Sequence, residues 1–510
     1  MKLKLNNIEA AYKAMKKRAF DEFEKGDVEK CFFYMDAAAT LACQVISRYT
    51  DDDFEELLNL ISQKTILTNQ HEYKPNENRV VFYDGFGVSY ILAVQYMNAL
   101  VSMGKEVLYI YEVREHLHNK LVPVLELFKS YSNVSIQLIE IADTKTEKNQ
   151  KIYNSIVDFQ PSKLFTHIDS HSAIIPVLYS LPKGLIRYHI NLGDHLFWLG
   201  AKGIDYIFEF RNFGAVVSNE KRGLKESQIF LLPYYPLVQD SDFLGFPEEV
   251  RDKVVIFSGG DFYKTIDKEN SYWELVKALL NENPNAVFLF ASKTTEYDKQ
   301  YEFLNNFIKT NGFQKRLLSI GFRPDINQVF AHCDIFMGTS PMSGGLMSQY
   351  AAVNAKPILQ FYPPELFCNN ETESVICFHD KISISHTDKQ SFLSEAKNLI
   401  DNEEYRLKVG ANIKSCMIVE SEFNTLFAKS LETHKTEDVI SKLNINYKEF
   451  TQWWLDIGNR GYYDVYSFIY YYLKIWGIFE APGIISKYLF KRYFSNKLLS
   501  LGWYKTKIMK

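Results

Sequence analysis

The sequence predicts an α/β protein in which two doubly wound parallel sheets face each other, with helical extensions at both ends. From residue 79 to about 440, short apolar runs rich in β-branched and aromatic residues alternate with helical stretches. Such alternation is typical of parallel sheets covered by helices. The pattern starts again after Pro233, Pro236 and Pro247. The core therefore divides into two Rossmann-like domains, predicted at 79–245 and 250–440.

The predicted strands are short apolar runs, each followed by a turn and a helical stretch, as expected of strands buried on both faces. In the first domain they lie at 80–84, 107–111, 134–139, 163–168 and 185–190, with helices near 89–103 and 115–131. In the second domain they lie at 254–260, 286–292, 317–321, 333–338 and 356–361, with helices near 271–281, 296–311 and 345–354.

Both ends of the chain differ from this core. Residues 1–75 carry apolar residues at helical spacing and predict a helical N-terminal segment, whereas 441–510 predict an aromatic, basic, helical tail. Residues 481–510 hold seven lysines and arginines, no acidic residue, and several aromatic residues. That mixture predicts a segment that rests on an anionic membrane surface. The alternative is a terminal helix that packs on the core.

Composition excludes several classes of protein. The chain has 510 residues, 46% apolar and 24% charged, which is ordinary for a folded protein and predicts two to four domains. Its net charge of −4 argues against a protein covered by nucleic acid. Six cysteines without CxxC spacing, and an N-terminus without a secretory apolar stretch, predict a cytoplasmic protein. The longest candidate membrane stretch, 465–473, is too short to span a bilayer.

Two glycine-containing loops follow strands of the second domain, where parallel sheets bind their ligands. The first loop holds Ser258, Gly259, Gly260 and Lys264. Its glycines let the backbone approach an anion, and the lysine supplies a positive charge. The second loop opens a helix with Ser343, Gly344, Gly345 and Ser348, whose N–H groups and hydroxyls suit a diphosphate. The alternative is that both are only tight turns.

The stretch from Ser258 to Phe361 resembles the donor-binding domain of GT-B-fold glycosyltransferases, through SGGDFYK, SIGFRPDINQVFAHCDIFMGTS and SGGLMSQYAAVNAKPIL. The resemblance implies a nucleotide-sugar donor, UDP-linked, with Lys264 on the diphosphate and Phe322 by the base. It also implies that Ser343–Gly345 meets the distal phosphate and sugar. Retaining members carry a glutamate where this chain has Tyr350. An inverting mechanism is therefore expected.

The first domain offers polar residues for the opposite wall of such a cleft. The block HINLGDHLFWLG, residues 189–200, resembles a segment of bacterial GT-B transferases of polysaccharide gene clusters. That resemblance implies a donor contact for His189 and an acid–base role for Asp194 and His195. An inverting transferase needs one general base to deprotonate the acceptor hydroxyl. No Asp-x-Asp motif follows a strand, so neither a metal nor a further cofactor is expected.

The expected function is transfer of sugar to a glycan or lipid-linked acceptor, in polysaccharide biosynthesis on the inner face of the membrane. Three alternatives remain. The acceptor can be a protein, since the N-terminal segment is helical. The chain can be a non-catalytic partner subunit of GT-B shape. Finally, His167, Asp169 and His171 alternate at a strand end and could bind a divalent metal with Asp194 and His195, as in a hydrolase.

Overall fold

The computed structural model describes residues 3–68, 72–85, 90–113, 118–238, 241–293, 299–363, 372–376, 382–435, 440–459, 465–483, 485–486 and 488–489. The strands are β1 (Asn76–Asp84), β2 (Glu106–Glu112), β3 (Val134–Ile139), β4 (Pro161–His167), β5 (Ile186–Asn191), β6 (Tyr206–Glu209), β7 (Ile229–Leu231), β8 (Val254–Gly259), β9 (Ala286–Ala291), β10 (Leu317–Ser319), β11 (Ile335–Met337), β12 (Ile358–Phe361) and β13 (Ser385–His386).

The helices are α1 (Leu5–Glu24), α2 (Val28–Gln44), α3 (Asp52–Thr65), α4 (Tyr90–Ser102), α5 (His118–Lys129), α6 (Lys145–Phe159), α7 (Ile174–Val177), α8 (Asn212–Arg222), α9 (Ser271–Glu282), α10 (Lys299–Asn311), α11 (Ile326–His332), α12 (Gly345–Val353), α13 (Glu373–Ile376), α14 (Lys389–Asp401), α15 (Glu403–Ser415), α16 (Glu420–Thr433), α17 (Tyr447–Asn459) and α18 (Val465–Leu473).

Two parallel sheets organise the chain. The first has the order β3-β2-β1-β4-β5-β6-β7 and the second β10-β9-β8-β11-β12-β13. In both, the chain starts at a central strand, runs to one edge and then crosses back, which is the doubly wound arrangement. The predicted fold class of two Rossmann-like domains is confirmed. Strands β6, β7 and β13 were not predicted, because runs of two to four residues carry little pattern.

The helical N-terminal segment packs on one face of the first sheet. Along β1, Val81 and Tyr83 point into a core shared with α1–α3, whereas Val80 and Phe82 point into the core on the other face. This alternation is the two-residue period of a strand buried on both sides. The predicted N-terminal helices are confirmed.

The C-terminal helices return to the first sheet. Phe423 and Phe427 of α16 each stack edge-on against Tyr96 of α4, with ring centroids 5.2 Å apart. Helix α18 then lies against α1 and α2, and Arg18 pairs with Glu480 at 2.7 Å. Residues 490–510, which hold six of the seven basic residues of 481–510, lie outside the described residues. Among the helices that are described, none combines the length and the apolarity needed to cross a membrane.

Candidate nucleotide-sugar site

A cleft of about 520 Å³ lies at the carboxyl edge of the second sheet, lined by the loops after β8, β9 and β10 and by the start of α12. Of the predicted residues, Gly260, Lys264 and Phe322 line it, together with Met347 and Tyr350. Parallel sheets bind ligands at this edge. The fold therefore brings three separate sequence motifs to one cavity.

The loop after β8 needs its glycines. A Cβ atom on Gly259 would lie 2.8 Å from the carbonyl oxygen of Ala291, so only glycine lets β8 approach β9 here. Gly260 has a φ of 142° and donates a 2.9 Å hydrogen bond to the same carbonyl. Ser258 is buried, and its Oγ accepts a 2.6 Å hydrogen bond from Tyr272. Ser258 and Gly259 therefore shape the loop, while Gly260 and Lys264 face the cleft.

The second glycine motif meets the first at the start of α12. Gly344 is the N-cap residue and α12 begins at Gly345. A Cβ built on Gly344 would lie 3.9 Å from Nζ of Lys264. Ser348 is buried and donates a 3.2 Å hydrogen bond to the carbonyl of Gly344, while Ser343 is half-buried. The positive end of a helix and a lysine charge thus point to the same space, which favours an anion.

An aromatic ring stands on the rim of this cleft. Phe322 is 63% exposed, and Nζ of Lys293 lies 5.7 Å from its ring centroid. Arg323 fixes the turn by donating to Asp325 and, at 2.8 Å, to the carbonyl of Gly245. The hydrogen bonds from Arg323 hold the pKa of the Asp325 carboxyl below its usual value, although burial opposes them. An exposed ring on a fixed turn suits stacking with a flat ligand group.

Asp194 and His195 follow β5 in the first sheet. Asp194 is fully buried, and its carboxylate accepts hydrogen bonds from Arg211 and, at 3.0 Å, from Nδ1 of His195. Burial alone would raise the pKa of this carboxyl, but the Arg211 guanidinium and His195 outweigh burial and lower it. Asp194 is therefore buried against Arg211 and hydrogen-bonded to the half-buried His195, and its predicted acid–base role stays a prediction.

A second buried carboxyl lies behind this pair and was missed by the sequence analysis. Glu209 at the end of β6 accepts hydrogen bonds from Ser218 and from Asn191, the latter at 2.8 Å. Burial raises the pKa of Glu209 to about 7, against the nearby charge of Arg222. A Cβ on Gly214 would collide with its carboxylate. The one available signal was a glutamate within the apolar run Tyr206–Phe210.

His189 lies apart from the cleft. It is 1% exposed, its ring packs 4.6 Å from Trp198, and burial lowers its pKa to about 3. Its Nδ1 is 3.1 Å from the carbonyl of Thr166. The fold therefore places this predicted donor contact inside the first sheet. The role of His189 stays a prediction without support from its position.

The alternating histidines do not converge on one point. His167 faces Asp84, with 3.3 Å between Nδ1 and Oδ1, whereas Nε2 of His171 lies 2.8 Å from Oγ1 of Thr40. Asp169 accepts a 2.9 Å hydrogen bond from the backbone of His171. Within the described ranges, no three His, Cys, Asp or Glu side chains are grouped to hold a metal ion. The geometry thus disfavours the metal-hydrolase alternative.

Helix α17 contacts both His195, which follows the first sheet's β5, and the loop after β8 that carries Lys264. Its Trp454 ring stacks parallel to the ring of His195, with centroids 6.3 Å apart, and lies 5.9 Å from Tyr263 of the loop after β8. Nε1 of Trp453 donates a 2.7 Å hydrogen bond to the carbonyl of Ile266. Met342 shares this apolar cluster. His195 and the Lys264 loop are thus joined through α17.

Comparison with known proteins shows the fold. The sequence matches no family model and no curated protein. Anabaena HepE, solved in complex with UDP, shares 11% identity over 70% of this chain and 100% of its own, with a TM-score of 0.51. An O-GlcNAc transferase mutant of Thermobaculum terrenum shares 13% identity over 88% of this chain and 85% of its own, with a TM-score of 0.51. A Rickettsia africae glycosyltransferase shares 11% identity over 71% of this chain and 98% of its own, with a TM-score of 0.52. This chain has the GT-B fold.

Proposed function

We propose that this protein is a glycosyltransferase that takes its sugar from a UDP-linked donor bound in the cleft of the second sheet. The observation that carries the proposal is the meeting of Lys264 and the start of α12 in one cavity, with Phe322 exposed on its rim. Positive charge suits a diphosphate and the ring suits a base. HepE, which shares the fold, was solved in complex with UDP, and this supports the choice of nucleotide.

The general base in this proposal is His195. Because the Asp194 carboxylate accepts the hydrogen bond from Nδ1, the proton sits on Nδ1 and Nε2 is left to accept the proton of an acceptor hydroxyl. Lys264 and the N–H groups of α12 would stabilise the leaving diphosphate, so the proposed reaction needs no metal and no resident cofactor. Tyr350 in place of a glutamate supports inversion. The proposed acceptor is a lipid-linked or surface glycan, with a protein as the alternative.

The test begins with binding. UDP, UDP-sugars, GDP and ADP are titrated in thermal-shift assays with and without a chelator, since a ligand at 100 times its Kd stabilises the folded protein by about 2.7 kcal/mol. Lys264→Ala should weaken UDP binding by about 1–3 kcal/mol. Lys253→Ala is the matched control, because Lys253 is exposed at the opposite end of β8. Equal UDP affinity in both variants would remove the donor site.

A non-catalytic, nucleotide-binding subunit is the second candidate, and the position of Trp454 favours it. The tryptophan ring covers one face of His195, which restricts the approach of an acceptor. Release of UDP from UDP-sugars, with and without added glycan acceptors, distinguishes the candidates. UDP release that His195→Gln reduces supports the transferase. UDP binding with no release in the wild type supports the subunit.

A further inference from the structure

Large apolar side chains are exposed where α18 ends. Tyr471 is 56% exposed, Ile475 55% and Phe479 81%, and Phe33 of the adjacent α2 is 41% exposed. The ring centroids of Phe33 and Tyr471 are 6.4 Å apart. We call these four residues the outward patch. Single exposed apolar residues are common, but a concentration of them marks an interaction surface.

The outward patch belongs to an anchored segment. Leu473, Ala481 and Ile485 belong to the same stretch of chain and are at most 2% exposed, inside the core shared with the N-terminal helices. A Cβ on Gly477 would lie 2.5 Å from that of Leu473, so glycine lets the turn pack closely. The backbone is thus held in place while Ile475 and Phe479 remain outside.

Basic residues follow the patch along the sequence. Lys474 lies over the Tyr471 ring, with 4.2 Å between Nζ and the centroid. Glu480, the last acidic residue of the chain, is paired with Arg18 at 2.7 Å. The following 30 residues carry seven basic side chains and no acid. An apolar surface joined to a basic stretch therefore calls for an apolar and anionic partner.

We propose that the outward patch docks the protein on an anionic lipid bilayer, with Ile475 and Phe479 entering the interface and the basic stretch held by lipid headgroups. Weak apolar insertion and a polybasic segment are each insufficient for stable membrane attachment, but together they suffice. Tyrosines such as Tyr471 favour the boundary between headgroups and acyl chains. This surface lies where the C-terminal segment packs on the N-terminal helices, and none of its four residues lines the proposed donor cleft.

The experiment is flotation of the full chain with vesicles of phosphatidylcholine alone or with 30% phosphatidylglycerol. We expect flotation with the anionic vesicles only, and its loss at 1 M salt, where charges are screened beyond about 3 Å. The double variant Ile475→Ser, Phe479→Ser should bind about tenfold more weakly or worse, since burying one such side chain fully is worth about a factor of ten. Leu67→Ser is the matched control, because Leu67 is 78% exposed elsewhere.

Three results would overturn the proposal. The first is equal flotation of the double variant and the wild type. The second is equal binding to neutral vesicles. The third is salt-sensitive self-association of the wild type in light scattering, lost in the double variant, without flotation, which would make the patch an interface between copies. UDP thermal shifts are measured on the same samples, so that failure of docking is distinguished from failure of the proposed function.

Discussion

Asp194→Asn should lower the free energy of unfolding by about 3 kcal/mol. The reason is that the carboxylate is fully buried and binds Arg211, whose side chain is only 10% exposed and which lies 5.0 Å from the Phe213 ring centroid. Removing one partner of a buried ion pair costs about 3–5 kcal/mol, because the remaining charge is left in an apolar site. Because Arg211 is partly exposed, we expect a loss of about 3 kcal/mol, at the lower end of that range.

A double-mutant cycle with Arg211→Met provides the check. Urea unfolding is followed by tryptophan fluorescence, since Trp198 and Trp454 lie in this region. In the Arg211→Met background, Asp194→Asn should lower the free energy of unfolding by at least about 1 kcal/mol less than it does in the wild type. A difference of this size is expected of residues in direct contact. His195→Gln, at a side chain that is 23% exposed, should cost less than about 1 kcal/mol. Additive costs, or a loss below about 1 kcal/mol in Asp194→Asn, would refute the argument.

The Asp194–Arg211 pair also predicts how the free energy of unfolding changes with pH. The folded-state pKa of Asp194 lies below its ordinary value of 3.8, so the stabilisation is present above that value and is lost as the pH falls towards the folded-state pKa. The difference between the wild type and Asp194→Asn should therefore shrink in acid. Unfolding measured from pH 7 down to pH 3 tests this.

Three further predictions concern the site. His195→Gln should lower kcat of UDP-sugar turnover by about 10²–10⁴-fold with little change in UDP affinity, and unchanged turnover would remove His195 as base. The raised pKa of Glu209, about 7, means that its contribution to stability is complete below about pH 4.5 and is lost as the pH rises through 7, so Glu209→Gln should flatten stability between those values. Gly344→Val should weaken UDP binding without unfolding the chain. A Cβ at position 344 has room, since it lies 3.5 Å from Met347, but the rest of the valine side chain enters the space beside Lys264. Calorimetry of UDP binding measures the loss of affinity.

The sequence alone determined the sheet cores and the glycine loops. Strand β9 (Ala286–Ala291) was predicted to within one residue, because a parallel strand buried on both faces leaves a continuous apolar run. Lys264 and Phe322 line one cavity, because each lies within five residues of the carboxyl end of a strand of the same sheet. Apolar runs and the loops that follow them are formed by residues adjacent in the chain, so both can be recognised from the sequence.

Only the tertiary structure decided what surrounds the candidate base. Asp194 is paired with Arg211, which follows β6, and the ring of His195 stacks on Trp454 from a helix some 260 residues later in the chain. His189 shares a sequence block with both, but strand β5 turns it into the core beside Trp198. Burial and charge pairing depend on which distant segments pack together, so the chemistry of a histidine or carboxylate is set by contacts that its neighbours in sequence do not reveal.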